Sequence, residues 1–380
     1  MNTEKLEKLA EPLLDWFAKN ARVLPWREEP RPYYVWVSEI MLQQTRVEAV
    51  KPFFARFIDA LPDIQALAQC PEDQLLKLWE GLGYYNRVRN MQKAARQIME
   101  EYHGRMPDQY EQLLKLPGIG SYTAGAVASI AYGRPVPAVD GNVLRVISRI
   151  TGSAEDISKQ SVKKQMEEAL LAVMPVDRPG AFNQALMELG AAVCLPNGAP
   201  DCERCPVRGL CYAFEQGCQM QLPVKAPKKA RRMEQRTVLV IRDAFHAAVR
   251  KRPAKGLLAG LYELPNVEGH LSQEEAIEQV KEMGFSPLRI LPLCSAKHIF
   301  SHVEWQMIGY MVLVEEPDDT EQKGGLLFVE PSLTEREYPI PAAFAAYTEY
   351  LSIKLGQDKY EMGSGAGPGL VDPEKGMESK

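Results

Sequence analysis

No run of apolar residues in this chain is long enough to cross a bilayer, so a helical membrane protein is excluded. An excess of basic charge is also missing: Lys and Arg number 45 against 50 Asp and Glu, a formal net charge of −5. The total therefore lacks the basic footprint usual in proteins that bind nucleic acid. The balance is uneven along the chain, however. Lys225 to Arg236 is strongly basic, while Glu315–Glu321 and the tail carry much acid. A local groove can hold phosphate under an acidic total. Cysteine is sparse, seven in 380 residues, and four of the seven crowd between Cys194 and Cys211. That crowding reads as a metal or cluster site in a reducing compartment and argues against a disulfide framework. The first residues, MNTEKLEKLAEPLLDWF, mix acid and base as an amphipathic helix does, unlike a signal or transit peptide. A cytoplasmic protein is expected. There is no internal repeat, and strand-like alternation is nearly absent before Val224.

What is present centres on Leu116–Val146, LPGIGSYTAGAVASIAYGRPVPAVDGNVLRV. Pro117 starts a turn in which Gly118 and Gly120 are expected to adopt conformations closed to residues with a Cβ. A helix of small residues, Ser121–Tyr132, should follow. Free N–H groups and the positive end of the helix dipole would then point outward together, as an anion site suited to phosphate. Asp140 comes one loop later. A phosphate grip beside a carboxylate suggests chemistry on a nucleic-acid backbone or sugar.

Ahead of this stretch, Leu6, Leu9, Leu13, Leu14 and Phe17 have helical spacing, which predicts a first helix from about Thr3 to Asn20. LPWREEPRPYYVW is a Pro-rich loop, and Tyr34–Lys51 reads as one helix buried on most sides. Glu39 lies in that apolar run. Either it emerges on a solvated face or pairs with an arginine, or it is a general acid with a raised pKa. Helices are expected at Pro52–Leu61, Ile64–Ala68 and Glu72–Glu80. GLGYYNRVRN (Gly81–Asn90) should be a turn leading into a helix to about Tyr102. Its tyrosines either cover a core or wedge into a base stack.

Cys194, Cys202, Cys205 and Cys211 are joined by short Pro/Gly loops, so four thiolates can close around one metal or cluster; spacing alone does not separate zinc from iron–sulfur. Cys70, Cys218 and Cys294 fall outside the pattern. The length suggests about two to three domains. We expect an all-α domain over 1–221, a basic linker at 222–236, an α+β domain at 237–355 and a disordered Gly-rich tail at 356–380. Within the α+β part, strands are expected at Thr237–Asp243, Ala247–Arg252 and Val303–Glu316. Val303, Trp305, Met307 and Met311 should share one face of the last. Helices are expected at Gln273–Met283 and near Ala342–Lys354.

LPWR (Leu24–Arg27), SEIMLQQT (Ser38–Thr45), GLGYYNRVRN, LPGIGSYTAGA, VDGNVLRV, FNQALMELG and the four cysteines, in this order, resemble the MutY-type adenine DNA glycosylases of the helix–hairpin–helix superfamily. The likeness covers nearly all of Leu24–Cys211. It implies a multidomain protein: an all-α glycosylase domain with a [4Fe–4S] cluster loop, plus an α+β Nudix-like recognition domain. The helical domain would comprise a six-helix barrel module at about 23–132 and a cluster module built from 1–22 and 133–221. The implied reaction is base excision repair: adenine mispaired with 8-oxoguanine or guanine in duplex DNA is flipped out and its N-glycosidic bond hydrolysed. In that scheme Glu39 is the acid, Asp140 stabilises the cationic sugar or attacks it transiently, Asn142 orients Asp140, and Tyr122 bonds to the same centre. Trp26, Arg27, Leu42, Val47 and Gln184 would surround the flipped adenine. Gln44 and Tyr84 would fill or wedge the stack, Thr45 and Leu82 would lie near the opposite base, and Gly118 and Gly120 would grip phosphate. Cys194, Cys202, Cys205 and Cys211 would hold the cluster. The first gap has seven residues where the family has six, the extra one lying in a Pro/Gly loop.

Endonuclease III relatives act through a lysine two residues beyond the hairpin. Tyr122 stands there in this chain, so lyase chemistry by that route is not expected. GLLAGLYELP (Gly256–Pro265) is similar to the start of a Nudix box, but no REx2EE core follows, which implies a domain that does not hydrolyse nucleotides. Phe300-Ser301-His302 matches the loop that touches 8-oxoguanine. The expected protein is a monomer, nucleoid-associated through DNA, with no membrane partner. Competing readings are a thymine glycosylase acting on G·T pairs, a non-catalytic lesion binder and a nucleotide pyrophosphohydrolase.

Overall fold

The computed structural model describes residues 3–227, 230–316, 321–322 and 325–355. The tail expected to be disordered lies outside them. The chain forms two compact units, Met1–Arg231 and Arg232–Lys380.

The first unit is helical. Its helices are α1 (Ala10–Asn20), α2 (Pro25–Glu28), α3 (Pro32–Leu42), α4 (Val47–Ala60), α5 (Ile64–Gln69), α6 (Glu72–Leu78), α7 (Asn86–Glu101), α8 (Tyr110–Leu113), α9 (Ser121–Ala126), α10 (Gly141–Thr151), α11 (Gln160–Val173), α12 (Pro179–Ala192) and α13 (Tyr212–Glu215). Residues Glu4–Leu6 form a separate 3-10 turn before α1, so the first predicted helix is broken. The single helix expected over Tyr34–Lys51 is two helices. The chain turns at Gln43–Arg46, where Gln44 takes φ +65°. Neither Gly nor Pro marks that break. Pro52 does not open a helix; it lies inside α4, in the second turn. There a missing N–H forfeits one intrahelical bond.

Two stretches of core hold the unit. Trp36, Phe53, Phe57, Leu75, Trp79 and Val88 are all fully or almost fully buried between α3 and α7. A second cluster joins Leu6, Leu9 and Leu13 to Val143, Ile147, Met166, Phe182 and Leu186, tying the N-terminal turns to α10, α11 and α12.

The second unit is a mixed sheet with helices on its faces. Its strands are β1 (Arg232–Arg242), β2 (Ala247–Lys251), β3 (Tyr262–Glu263), β4 (Asn266–Glu268), β5 (Pro287–Ile299), β6 (Val303–Val314), β7 (Glu321–Gln322) and β8 (Leu326–Val329). The order is β5-β6-β1-β2-β8-β7, with β3 on β2 and β4 on β1. β1 and β6 are parallel from Arg232↔Val303 to Arg242↔Leu313. Arg232–Arg236 is therefore strand, not linker. Glu234 gathers the local charges, accepting from Arg232, Arg236 and Trp305 Nε1.

Alternation in β6 feeds two cores. Val303, Trp305 and Met307 pack with Tyr347 and Phe344 on one face, with Met311 at the edge of the same cluster. Val312 and Val314 pack with Ala276 and Val280 on the other. The latter pair belongs to α14 (Gln273–Glu282), which starts with a Ser272/Glu275 capping box. The last predicted helix is instead three short turns, Ala342–Phe344, Ala345–Thr348 and Glu349–Leu351. β5 lies outside the expected strands, because its residues are all exposed or half-exposed and carry no clean period.

Candidate functional site

A cavity of about 1020 Å³ in the first unit is walled by α2, α3, the turn after α3, α9, the start of α10 and α12. Eleven residues singled out in the sequence meet there: Trp26, Arg27, Glu39, Leu42, Gln44, Thr45, Val47, Tyr122, Asp140, Asn142 and Gln184.

Glu39 lines this cavity from α3, a helix buried on most sides, and the residue is only 5% exposed. The Tyr122 hydroxyl donates to Glu39 Oε2 in a short contact and lies 3.7 Å from Met187 Sδ. Burial pushes the Glu39 carboxyl up to about 7. The Tyr122 bond and the Arg27 charge pull the other way, and the Asp140 charge adds to the rise. Tyr122 is itself raised well above a free phenol by burial and by Glu39 and Asp140, so it stays a donor.

Asp140 is the N-cap of α10. Its Oδ1 accepts from Val143 N–H at 2.8 Å and its Oδ2 from Asn142 Nδ2 at 2.8 Å. Burial raises its pKa, and these hydrogen bonds oppose the rise. Asn142 is held in turn: Arg145 Nη2 donates to its Oδ1 at 2.9 Å and to the Gly190 carbonyl at 2.8 Å, while Arg145 Nε donates to the Cys194 carbonyl at 2.8 Å. One arginine thus ties the Asp140 loop to the cysteine loop.

Close backbone approach builds this corner. A Cβ on Gly125 of α9 would lie 2.2 Å from the Pro137 carbonyl oxygen, so the small-residue helix is what lets the loop before Asp140 pass. In the hairpin, Gly118 has φ +78° and no room for a Cβ, which would sit 2.7 Å from Asn90 Cβ. Gly120 differs from expectation. It is an extended N-cap at φ −97° with open space beside it, so its conformation does not demand glycine. No side chain caps α9 there, and its first amides are left to solvent or ligand. Beyond Ala126 the helix continues as a π turn, Val127–Ala131.

Sequence reasoning missed Arg22, Lys163, Met187 and Glu188 on the same cavity wall. Glu188 is 1% exposed and takes Arg22 Nε at 2.5 Å, Arg22 Nη2 at 3.0 Å and Arg27 Nη2 at 2.8 Å. Burial alone would raise this carboxyl, but the two arginines outweigh it and hold it low. The signal was there to be used: like Glu39, Glu188 is an acid in an apolar helical run. Lys163 donates to Ser121 Oγ at 2.9 Å.

The remaining sequence-selected residues lie elsewhere. Leu82 and Tyr84 sit on the turn between α6 and α7, Leu82 buried and Tyr84 49% exposed. Phe300, Ser301 and His302 form the β5–β6 turn in the second unit. Phe300 stacks edge-on against His298 and Trp305, and Ser301 and His302 are exposed. Cys194, Cys202, Cys205 and Cys211 line one small pocket with Arg149 and Gln219; Cys218 is not on its wall. All seven cysteines are free. Arg149 Nη1 donates to Cys194 Sγ at 3.1 Å, and burial pushes the Cys205 thiol up to about 12. Four half-buried sulfurs around one pocket, with an arginine against one of them, suit a cation-bearing group held by thiolates.

Comparison with known proteins agrees with this geometry. Residues 37–171 match the HhH-GPD superfamily base excision DNA repair protein model, and 237–350 match a NUDIX domain model. Human adenine DNA glycosylase is 34% identical, over 91% of this chain and 73% of that protein. The adenine DNA glycosylase of Buchnera aphidicola (from Schizaphis graminum) is 33% identical, over 79% of this chain and 86% of that one. Among solved structures, a thermostable thymine-DNA glycosylase superposes with a TM-score of 0.51 at 29% identity. It covers 56% of this chain and 98% of its own. A trapped endonuclease III–DNA covalent intermediate gives 0.50 at 24% identity, over 57% and 99%, a likeness of fold. With relatives of that name matched across both units, the chain belongs to the MutY-type adenine DNA glycosylases, base excision repair enzymes that remove adenine from DNA.

Proposed function

We propose that this enzyme is monofunctional and acts on adenine paired with 8-oxoguanine or guanine in duplex DNA, bound as a monomer. The observation that carries the reading is the Tyr122–Glu39 contact inside a cavity that Asp140 also lines. Hydrolysis of an N-glycosidic bond needs a proton on the leaving base and negative charge near the sugar as it becomes an oxocarbenium ion. Glu39, poised near neutral pH, gives its proton to adenine N7. The C1′–N9 bond breaks, and its electron pair leaves with the base. Asp140, aimed by Asn142 and the Val143 amide, faces the cationic C1′ as a charge or as a transient nucleophile. Water then adds its hydroxyl to C1′, and its released proton restores the Glu39 carboxyl. Trp26, Arg27, Leu42, Val47 and Gln184 form the walls against which an extruded adenine packs. Extrusion costs a few kcal/mol, which Gln44 and Tyr84 offset by filling the stack. Gly118 and Gly120 grip a phosphate, and Thr45 and Leu82 meet the opposite base. Phe300–His302 reads 8-oxoguanine, and the second unit hydrolyses no nucleotide.

In this reading Cys194, Cys202, Cys205 and Cys211 would hold a [4Fe–4S] cluster, which when bound would shape the loop that carries Arg204 and Arg208 toward DNA phosphate.

A thymine-glycosylase reading has one observation behind it, the likeness of the helical unit to such an enzyme. One assay separates the two. Purified protein is incubated with duplexes carrying A opposite 8-oxoguanine, T opposite G, or an abasic site. Release of adenine alone, without strand cleavage, is expected. Thymine release or cleavage at the abasic site would sink the proposal.

A further inference from the structure

Besides His103, two residues with a Cβ in the first unit hold a left-handed backbone conformation that such residues rarely adopt, Gln44 at φ +65° and Tyr84 at φ +48°. They lie on different turns, one after α3 and one before α7, forty residues apart in sequence. Both are exposed. Such conformations persist only where the surrounding structure over-determines them. The same group secures both. Arg87, at the start of α7, sends Nη1 to the carbonyls of Ile40 (2.7 Å), Met41 (3.1 Å) and Gln43 (2.6 Å). Its Nη2 reaches the carbonyls of Leu82 (2.9 Å) and Gly83 (3.1 Å). Gln43 and Gly83 are the residues immediately before Gln44 and Tyr84. The guanidinium also lies over the Trp79 ring (5.3 Å) and the Tyr84 ring (5.6 Å), and Trp79 Nε1 donates to Gly83 O at 3.0 Å.

Burial pulls the Arg87 guanidinium down to about 10, which still leaves it charged at neutral pH. The Ile40 and Met41 carbonyls belong to the last turn of α3, where orphan acceptors and the negative helix end attract positive charge. A planar fork is what five carbonyls on two turns require; an ammonium has three donors at one point and cannot span them.

We propose that Arg87 is a positioning residue that buckles the Gln44 turn to the Tyr84 turn, so that the device which opens the base stack is assembled before DNA arrives. Arg87 touches no reacting atom in this scheme. It holds two wedges at a set spacing, and extrusion is then driven by a rigid pair instead of two loose loops. This rests on the reading of Gln44 and Tyr84 as stack-filling residues given above.

The test is Arg87→Lys in the full-length enzyme, with excess enzyme over DNA. Two substrates carry the same adenine·8-oxoguanine pair: one in a continuous duplex, one flanked by unpaired bases so the strand is already open. Since the closed duplex must be opened by the wedges, the variant should lose roughly 10–100-fold in adenine release on it. On the open one it should stay within about threefold of wild type. A 2-aminopurine beside the target adenine should show slower unstacking on the closed duplex alone. Equal loss on both substrates, or none on either, overturns the proposal. The double variant Gln44→Ala, Tyr84→Ala checks the underlying reading by itself: if it opens the closed duplex as fast as wild type, those residues are not wedges, whatever Arg87 does. Should Arg87→Lys fail to fold, hydrogen exchange on the wild-type protein decides. Segments 40–46 and 80–86 should open together without DNA, and independent opening of the two overturns the coupling.

Discussion

Glu39 is a carboxyl that the fold keeps near mid-titration at neutral pH, because α3 removes it from water and Tyr122 supplies one hydrogen bond in exchange. Glu39→Gln keeps the shape and that bond but has no proton to give. Single-turnover adenine release should fall by about 10²–10⁴-fold or more, with DNA binding retained. Near-normal release by the folded variant would remove Glu39 from the role. The same residue affects stability. Its folded pKa of about 7 stands above the ordinary 4.5. The folded state therefore holds the proton more tightly, and the contribution to stability is full below about pH 4.5 and lost as pH rises toward 7. Glu39→Gln should thus melt higher than wild type at pH 8, by the equivalent of a few kcal/mol at most, with the gap closing toward pH 5. A gap that grows toward acid pH would contradict the assignment. Tyr122 supports a second expectation. Borohydride should trap little enzyme on DNA, since a phenol forms no Schiff base. Lys163 and Lys225 do line the cavity, with Lys163 engaged by Ser121 and Glu167. Strong trapping that disappears in Lys163→Ala would assign lyase chemistry to it.

At the scale of elements, the cavity depends on two close passages. The loop before Asp140 crosses α9 at Gly125, where an added Cβ would meet the Pro137 carbonyl at 2.2 Å. A backbone oxygen cannot swing aside as a side-chain tip can. Gly125→Ala should cost about 1–3 kcal/mol in denaturant unfolding, as overpacking does, and slow adenine release by moving Asp140. Unchanged stability would mean that the loop has slack. The cysteine loop is the second passage, joined to the Asp140 loop through Arg145. Protein purified without oxygen should be yellow-brown with about four irons per chain. One zinc and no iron would end the cluster proposal.

For the whole molecule, the two units carry different tasks in this proposal: one handles adenine, the other identifies its partner. 8-Oxoguanine differs from guanine by an acceptor at O8 and a donor at N7, and Ser301 and His302 offer hydroxyl and imidazole groups at the exposed β5–β6 turn. Ser301→Ala with His302→Ala should narrow the preference for A opposite 8-oxoguanine over A opposite guanine by several-fold to tens-fold, from about 0.5–1.5 kcal/mol per lost hydrogen bond. Adenine release with excess enzyme should change much less. If the preference stays the same, the lesion is read elsewhere.

Much of the site was legible in order along the chain. Glu39 in an apolar run, the Gly-turn with Asp140 after it, and four clustered cysteines each state a local chemical need that residue type and spacing express directly. Burial of Glu39 on α3 could be inferred because a helix apolar on most sides loses water all round. Other features belong to contacts between segments far apart. The break after α3 has no Gly or Pro to announce it, because the strained Gln44 is supported by Arg87 from another helix. Strand β1 begins in a basic stretch because its ladder partner is β6, some seventy residues away. The Glu188 carboxyl is held low by two arginines from before α3, not by anything adjacent to it. Local preference is a property of a few neighbouring residues, and so it can be read from them. A conformation stabilised by a distant partner is decided only when the tertiary fold brings that partner within hydrogen-bonding distance.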